Sequence, residues 1–339
     1  MDFSDIKAAH TRIKPMIKRT PIVSSHRLNQ WLSCNLLAGY QHEIFFKAEC
    51  LQTTGAFKLR GASNFIAKLI ESGEKPRQFV ANSSGNHAQA VAYAASKFGI
   101  PATIYAADTI SPIKATATQS YGAELKTFAK RTLADAAVAE ASKAEGVVWI
   151  PPFNHPDVIA GQGTAALEAI EELDTVDAVF APCGGGGLVS GSLITTRAML
   201  PDAKVIGVEP LAANDAAESL RKGTIQYLTA PPKTLADGAA TPSVGEHTFP
   251  FLQQLDDFYE VSEQQICYWT QWLHHLLKLH IEPTCCMTMS AVAKWLANQT
   301  QPQRVLVILS GGNISTQSMQ TIHATDYLDQ PPRVANNNN

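Results

Sequence analysis

The chain has 339 residues, of which 45% are hydrophobic and 17% charged, and its formal net charge is −3. This is the composition of an ordinary globular protein, long enough for one large or two medium domains with a sizeable core, and it excludes a disordered or fibrous chain. The slight acidity and the scattering of basic residues argue against nucleic acid or a membrane surface as partner.

The opening stretch, MDFSDIKAAHTRIKP, has no apolar signal core, and no apolar run is long enough to span a bilayer. Six cysteines (Cys34, Cys50, Cys183, Cys267, Cys285 and Cys286) contain no C-x-x-C pair, which argues against a structural zinc site. Adjacent Cys285 and Cys286 are poor candidates for a disulfide. The expected setting is the reducing cytoplasm.

In chain order, residues 79–82 (FVAN) read as a strand, followed by a helix through AQAVAYAASKFG. PATIYAA is a strand, SPIKATATQSYG a helix and ELKTFA a strand. DAVFAP (177–182) and KVIGVE (204–209) are strands with a helix between them, and RVLVILS (304–310) is a strongly apolar strand near the end. Strands separated by helices predict βαβ units and parallel sheets covered on both faces. Two α/β domains are expected, with a return between them near 151–157. No repeats occur, and the Pro- and Asn-rich tail after about residue 328 is expected to fray.

Four loops carry candidate chemistry, and three of them directly follow a predicted strand, where open α/β sheets place ligands. SSGNHAQ (83–89) offers small polar side chains and backbone N–H groups at a helix start, suited to a carboxylate or phosphate, although a plain helix cap has the same look. CGGGGLVSG (183–191) places four consecutive glycines between a buried strand and an apolar helix. Such a run is entropically costly and is explained by close approach of the backbone to a phosphate at a helix N-terminus. Glu209 ends the next strand, about where a ribose-binding acid would lie. The glycines nevertheless fail the G-x-G-x-x-G pattern, because the sixth position counted from Gly185 is Ser190, so a dinucleotide reading is weak.

SGGN (310–313) puts the Ser310 hydroxyl at a strand end, able to bond a heteroaromatic nitrogen or simply to cap a turn. TTGAFKLRGA (53–62) contains Lys58, which can form a Schiff base with a carbonyl cofactor if it reaches the same crevice. A lysine, a glycine phosphate loop and a strand-end serine together suggest pyridoxal 5′-phosphate, one part each for aldehyde, phosphate and pyridine nitrogen.

The chain resembles the fold-type II pyridoxal-phosphate enzymes, specifically the serine/threonine dehydratase (ammonia-lyase) and serine racemase family. KRTPIVSS (18–25), GAFKLRGA, SSGNHAQA, PPFNHPDVIAGQGT (151–164), CGGGGLVSG, LADG (235–238) and LSGGN follow in matching order over nearly the whole chain. The resemblance implies a tryptophan synthase β-like fold, with two open parallel-sheet domains and the cofactor in the cleft between them. It implies a large domain of residues 1–52 plus 158–328, a small domain of 53–157, and a disordered tail at 329–339. It further implies that Lys58 is the Schiff-base lysine, with Phe57 against the cofactor ring and Asn86 at its 3-hydroxyl. Gly184, Gly185, Gly186, Gly187 and Leu188 would hold the phosphate through backbone amides, and Ser310 would meet the ring nitrogen. A serine at that nitrogen leaves it largely unprotonated, which restrains carbanion delocalisation and favours β-elimination.

By the same resemblance the substrate is a small amino acid bound through its carboxylate by Ser83, Ser84, Asn86 and His87. The activity is dehydration and deamination of L-serine, L-threonine or a related β-hydroxy amino acid. Serine racemisation with side dehydration and 3-hydroxyaspartate dehydration are the alternatives, and a non-catalytic cofactor-binding protein is the remaining one. Ser84 stands where racemising and hydroxyaspartate-dehydrating members carry serine and many dehydratases carry alanine. GVEPLAAND (207–215) resembles a divalent-cation site, for Mg2+ or a similar ion, with Glu209, Asp215 and the Ala213 carbonyl as ligands. A homo-oligomer, dimer or tetramer, is implied.

Three departures stand out. GAFK replaces the commoner G-S-F-K. Leu133 falls where an arginine is expected in the racemases, with Arg131 nearby. Cys285, Cys286, Met287 and Thr288 replace the small residues that usually follow Glu-Pro-Ser/Thr, and they either alter the pocket or repack the core. No regulatory domain is expected after SGGN, and hence no feedback by isoleucine.

Overall fold

The structure, a computed structural model, describes residues 1–34 and 40–332. Its ten strands are β1 (Ile22–Val23), β2 (Glu43–Ala48), β3 (Gln78–Asn82), β4 (Ala102–Ala107), β5 (Glu124–Phe128), β6 (Val147–Trp149), β7 (Ala178–Pro182), β8 (Lys204–Pro210), β9 (Asp257–Val261) and β10 (Arg304–Leu309). They form a six-stranded sheet of order β1-β2-β10-β7-β8-β9 and a four-stranded sheet of order β5-β4-β3-β6. Every pairing is parallel except β1 with β2. The two-sheet parallel α/β architecture expected from the sequence is thus the one found.

The central strands are buried on both faces, as their unbroken apolar runs require: all five residues of β7 are buried, and so are Val305 to Leu309 of β10. The predicted strands match β3, β4, β5, β7, β8 and β10. The edge strand β9 (DFYEV) mixes charged and half-buried residues, and the apolar runs within β2 (Ile44 to Phe46) and β6 (Val147 to Trp149) are only three residues long, so none of these is marked as strongly as the central strands. Local signals set the helix starts. Ser262 and Gln265 form a capping box before the helix Glu263–Leu277, and His155 caps the N–H of Asp157 with Pro156 in the first turn of the helix Pro156–Leu173.

Two features seat the helix that carries Lys58 (Lys58–Glu71). The first is close backbone packing against the helix Pro156–Leu173. A Cβ on Gly161 would fall 2.5 Å from the Arg60 carbonyl oxygen, and one on Gly61 would fall 2.3 Å from Gln162 Nε2. The second is a buried charge cluster. Arg60 donates to Glu49 through Nε and Nη2 (both 2.8 Å) and to Glu168 through Nη1 and Nη2 (2.9 and 2.7 Å). Lys47 Nζ donates to Glu168 and to the Thr20 carbonyl, both at 2.7 Å. Two cations and two carboxylates, all buried, therefore neutralise one another where the first turn of the Lys58 helix meets β2 and the helix Pro156–Leu173.

Cys285, Cys286, Met287 and Thr288 are all buried, in and just after the short helix Pro283–Cys286. Their neighbours are core residues of the six-stranded sheet, and the Cys285 thiol donates to the Glu282 carbonyl at 3.0 Å. This segment contributes only Glu282 and Thr284 to the cleft described below. The unusual residues repack the core. Of the tail expected to fray, residues 333–339 lie outside the described residues. Up to Gln330 the chain is anchored, its carbonyl accepting from Tyr268 Oη and Trp272 Nε1 at 3.0 Å each. Among the described residues no helix is long and apolar enough to cross a membrane.

Candidate active site

A cleft of about 320 Å³ lies between the two sheets, at the C-terminal ends of their strands. Its lining includes Phe57, Lys58, Ser83, Ser84, Asn86, His87, Gly184 to Leu188 and Ser310, so sequence-distant candidates meet in one place. Glu209, Ala213 and Asp215 lie outside it.

Lys58 stands in the first turn of its helix, immediately after a turn in which Gly55 takes φ 73°. That turn is pinned to the end of β10. The Phe57 N–H donates to the Ser310 carbonyl at 2.9 Å, and Ala56 bridges Gly311. Lys58 Nζ donates to the Pro152 carbonyl at 2.6 Å and lies 5.3 and 5.9 Å from the rings of Phe57 and Phe153. Burial lowers its pKa to about 8, partly offset by the Glu282 carboxylate.

The glycine loop leads from β7 into the helix Gly187–Met199, and Gly186 takes φ 91° at its cap. Side chains are sterically excluded along the loop: a Cβ on Gly185 would fall 2.3 Å from the Phe153 ring, and one on Gly186 would fall 2.9 Å from Thr248. Thr248 Oγ1 donates to the Gly185 carbonyl at 2.7 Å and fixes the loop from behind. The backbone amides that open the helix are thereby presented to the cleft.

Across the cleft, Asn86 begins the helix Asn86–Lys97. Its Nδ2 donates to both Glu282 oxygens (3.1 and 3.0 Å), and its Oδ1 accepts from Asn313 Nδ2 at 2.8 Å. The side-chain amide is held at both ends. Burial pushes the Glu282 carboxyl up, to about 7. Ser83 Oγ accepts from the Gly85 N–H (3.1 Å) and Ser84 Oγ from the Ala107 N–H (3.2 Å), which leaves each hydroxyl hydrogen to spend. His87 is buried and its Nε2 donates to the Ile150 carbonyl at 2.9 Å. Burial and the nearby Lys58 lower its pKa to about 3, so it stays neutral at any working pH.

The model of the family described as "Pyridoxal-phosphate dependent enzyme" matches residues 13–311. The chain belongs to that family. It is 39% identical to the L-threo-3-hydroxyaspartate ammonia-lyase of Saccharomyces cerevisiae, over 94% of this chain and 95% of the relative. It is 38% identical to the serine racemase of Schizosaccharomyces pombe, over 92% and 94%. Among solved structures, the serine racemase of Dictyostelium discoideum superposes with a TM-score of 0.83 at 36% identity, covering 93% of this chain and 99% of that one. The fold is that of the fold-type II pyridoxal-phosphate enzymes, the protein is an enzyme, and pyridoxal 5′-phosphate is its cofactor.

The cleft fits that cofactor by its own chemistry. Ser310 is 1% exposed, and its Oγ has no hydrogen-bond partner among the described residues, an arrangement that a ring nitrogen satisfies. The glycine amides suit a phosphate, and a partly deprotonated lysine suits an aldehyde.

Glu209 is the penultimate residue of β8 and accepts from the N–H groups of Ala216 and Ala217 (3.2 and 2.7 Å). Asp215 is 1% exposed, and both its oxygens lack partners among the described residues. Burial raises both carboxyls, to about 9 and about 7. Two oxygen-bearing residues and a carbonyl suit a hard cation. No group of three or more His, Cys, Asp or Glu able to hold a metal occurs among the described residues.

The cleft also contains Lys114, Asp135, Phe153 and Asp237, which the sequence reading assigned no role. Phe153 and Asp237 lie within stretches that carry the resemblance (PPFNHP and LADG), so a signal was present. Lys114 and Asp135 sit on helix faces where the sequence offers none.

Proposed function

We propose that this enzyme eliminates the β-hydroxyl from L-serine, L-threonine or 3-hydroxyaspartate, giving a 2-oxo acid and ammonia. The observation that carries this reading is the meeting of a half-buried Lys58, the Gly184–Leu188 amides and the unpartnered Ser310 hydroxyl in one cleft. The cofactor, when bound, supplies an aldehyde that joins amines and an electron-accepting ring that stabilises negative charge at Cα.

Everything else falls to the chain. Lys58 would hold the aldehyde and, once freed from it by the substrate amine, would take the α-proton as general base, a task its lowered pKa suits. Ser310 would meet the ring nitrogen with a neutral hydroxyl, which would disfavour a full charge there and so favour loss of the β-hydroxyl over longer-lived carbanion chemistry. Asn86 would meet the 3-hydroxyl with its fixed amide, and Phe57 would pack on the ring. The serine hydroxyls, the backbone amides that open the Asn86 helix and the edge of His87 receive the substrate carboxylate. The decisive experiment is 2-oxo acid release by the cofactor-loaded protein, with Lys58→Ala beside it. Loss of turnover by more than about a thousandfold together with loss of the visible absorption is expected. Retained turnover refutes the role.

A second activity, racemisation of serine, is supported by Ser84, whose hydroxyl lines the cleft with its hydrogen uncommitted. Chiral analysis of residual serine separates the two. We further propose a divalent cation such as Mg2+ at Glu209, Asp215 and the Ala213 carbonyl, supported by the unpartnered Asp215 oxygens. The remaining proposals are a division into 1–52 plus 158–328 and 53–157, a homo-oligomeric dimer or tetramer, a cytoplasmic location, and no nucleic-acid or membrane partner.

A further inference from the structure

Two cations in the cleft have no task in this scheme. Lys114 lies in the helix Pro112–Ser120, and Arg131 opens the helix Arg131–Ala141, both on the four-stranded-sheet side. The loop assigned to the substrate carboxylate serves it with neutral donors, so neither cation is needed there. The Lys114 side chain is 9% exposed, and its Nζ reaches across the cleft to Asp237 Oδ2 at 2.5 Å. Asp237 is 54% exposed, so water competes for it and the pair is readily exchanged. Arg131 Nη1 donates to the Ala240 carbonyl at 3.1 Å, one bond from a fork of five donors.

The other carboxylates facing the cleft are committed. Asp135 accepts from Asn82 Nδ2 at 2.6 Å, and Asn82 Oδ1 in turn accepts from Trp149 Nε1 at 2.9 Å. Glu282 accepts twice from Asn86. A nearly buried ammonium and a largely unspent guanidinium on one wall of a substrate cleft form a site for an anion, and a guanidinium suits a carboxylate in particular.

We propose that Lys114 and Arg131 bind a second carboxylate carried on the substrate's Cβ, Lys114 exchanging Asp237 for it, so that the preferred substrate is a β-hydroxy dicarboxylic amino acid. This rests on the lyase reading above, and of the three substrates considered there only 3-hydroxyaspartate qualifies. Its products are oxaloacetate and ammonia, the water lost on elimination being regained on hydrolysis.

The test is calorimetric titration of the cofactor-loaded protein with L-malate and with L-lactate, which differ by the carboxylate in question. Alongside it, 2-oxo acid release is compared for L-threo-3-hydroxyaspartate, L-serine and L-threonine. L-malate is expected to bind at least about tenfold tighter than L-lactate. Lys114→Met and Arg131→Gln should each weaken L-malate by about tenfold while moving L-lactate by less than about threefold. Asp237→Asn removes the competing carboxylate and should tighten L-malate, a gain that misfolding cannot mimic. Equal affinities for the two acids, variants that weaken both alike, or an Asp237→Asn variant without gain overturn the proposal. Absence of 2-oxo acid from every amino acid would instead overturn the lyase reading, and the malate-to-lactate ratio would still decide the subsite.

Discussion

Lys58 must be neutral to take a proton, and its surroundings predict when it is. With a pKa near 8, the neutral fraction is about a tenth at pH 7, about half at pH 8 and about nine-tenths at pH 9. If proton removal limits turnover, kcat should rise roughly tenfold between pH 7 and its plateau. His87 contributes nothing over this range, because it is already neutral. Two opposed influences set the Lys58 value: burial disfavours the ammonium and is the larger, while the Glu282 carboxylate favours it. Glu282→Gln removes the second, which acts where the Glu282 carboxyl (about 7) is ionised, so the rising limb should move to lower pH and activity at pH 7 should increase relative to the plateau. The assay is continuous 2-oxo acid release at saturating substrate from pH 6 to 10. A limb that moves upward in Glu282→Gln, or a wild-type profile already flat from pH 7, would refute the reasoning.

Ser84→Ala should abolish racemisation and leave 2-oxo acid release within about threefold, read by chiral chromatography beside the release assay; equal loss of both contradicts the assignment. Gly185→Ala sets a methyl group 2.3 Å from the Phe153 ring. Either the ring or the loop must yield, and cofactor affinity by equilibrium dialysis should weaken by about tenfold to hundredfold. Among the described residues, Arg60→Met leaves Glu49 and Glu168 buried with Lys47, and with His10 at 3.9 Å from Glu168, beside them. It should cost about 3–5 kcal/mol in urea unfolding, whereas a loss under about 1 kcal/mol would mean that water reaches the cluster.

Much of the cleft was legible in the sequence because its parts sit at punctuation. Gly184 to Gly187, Ser310 and the 83–87 loop each follow an apolar run that could only be a buried strand, and the fold carries strand ends of that kind to a common edge. Lys58 was legible only together with those loops, since a lysine near a glycine is common. What could not be read was pairing between segments far apart in the chain. Lys114 and Asp237 stand 123 residues apart, and Arg60 and Glu168 stand 108 apart. No local pattern marks either pair, because each depends on which distant segments the fold brings together, Arg60 and Glu168 in the interior and Lys114 and Asp237 across the cleft. Cys285 to Thr288 show the complementary difficulty: the departure was plain in the sequence, but whether it faced cofactor or core depended on which side of one short helix met the sheet.

The charge cluster beneath Lys58 bears on how such a chain can change. Arg60, Glu49, Glu168 and Lys47 come from separate places in the chain and balance only as a set. Replacing any one leaves an odd charge in the interior, so single steps are closed and the four are exchanged together or retained. The surrounding loops answer to no such bond. Substitutions at the cleft rim, where Asp237 and Arg131 stand, can alter what the enzyme accepts one residue at a time, on a foundation that holds the reacting lysine in place throughout.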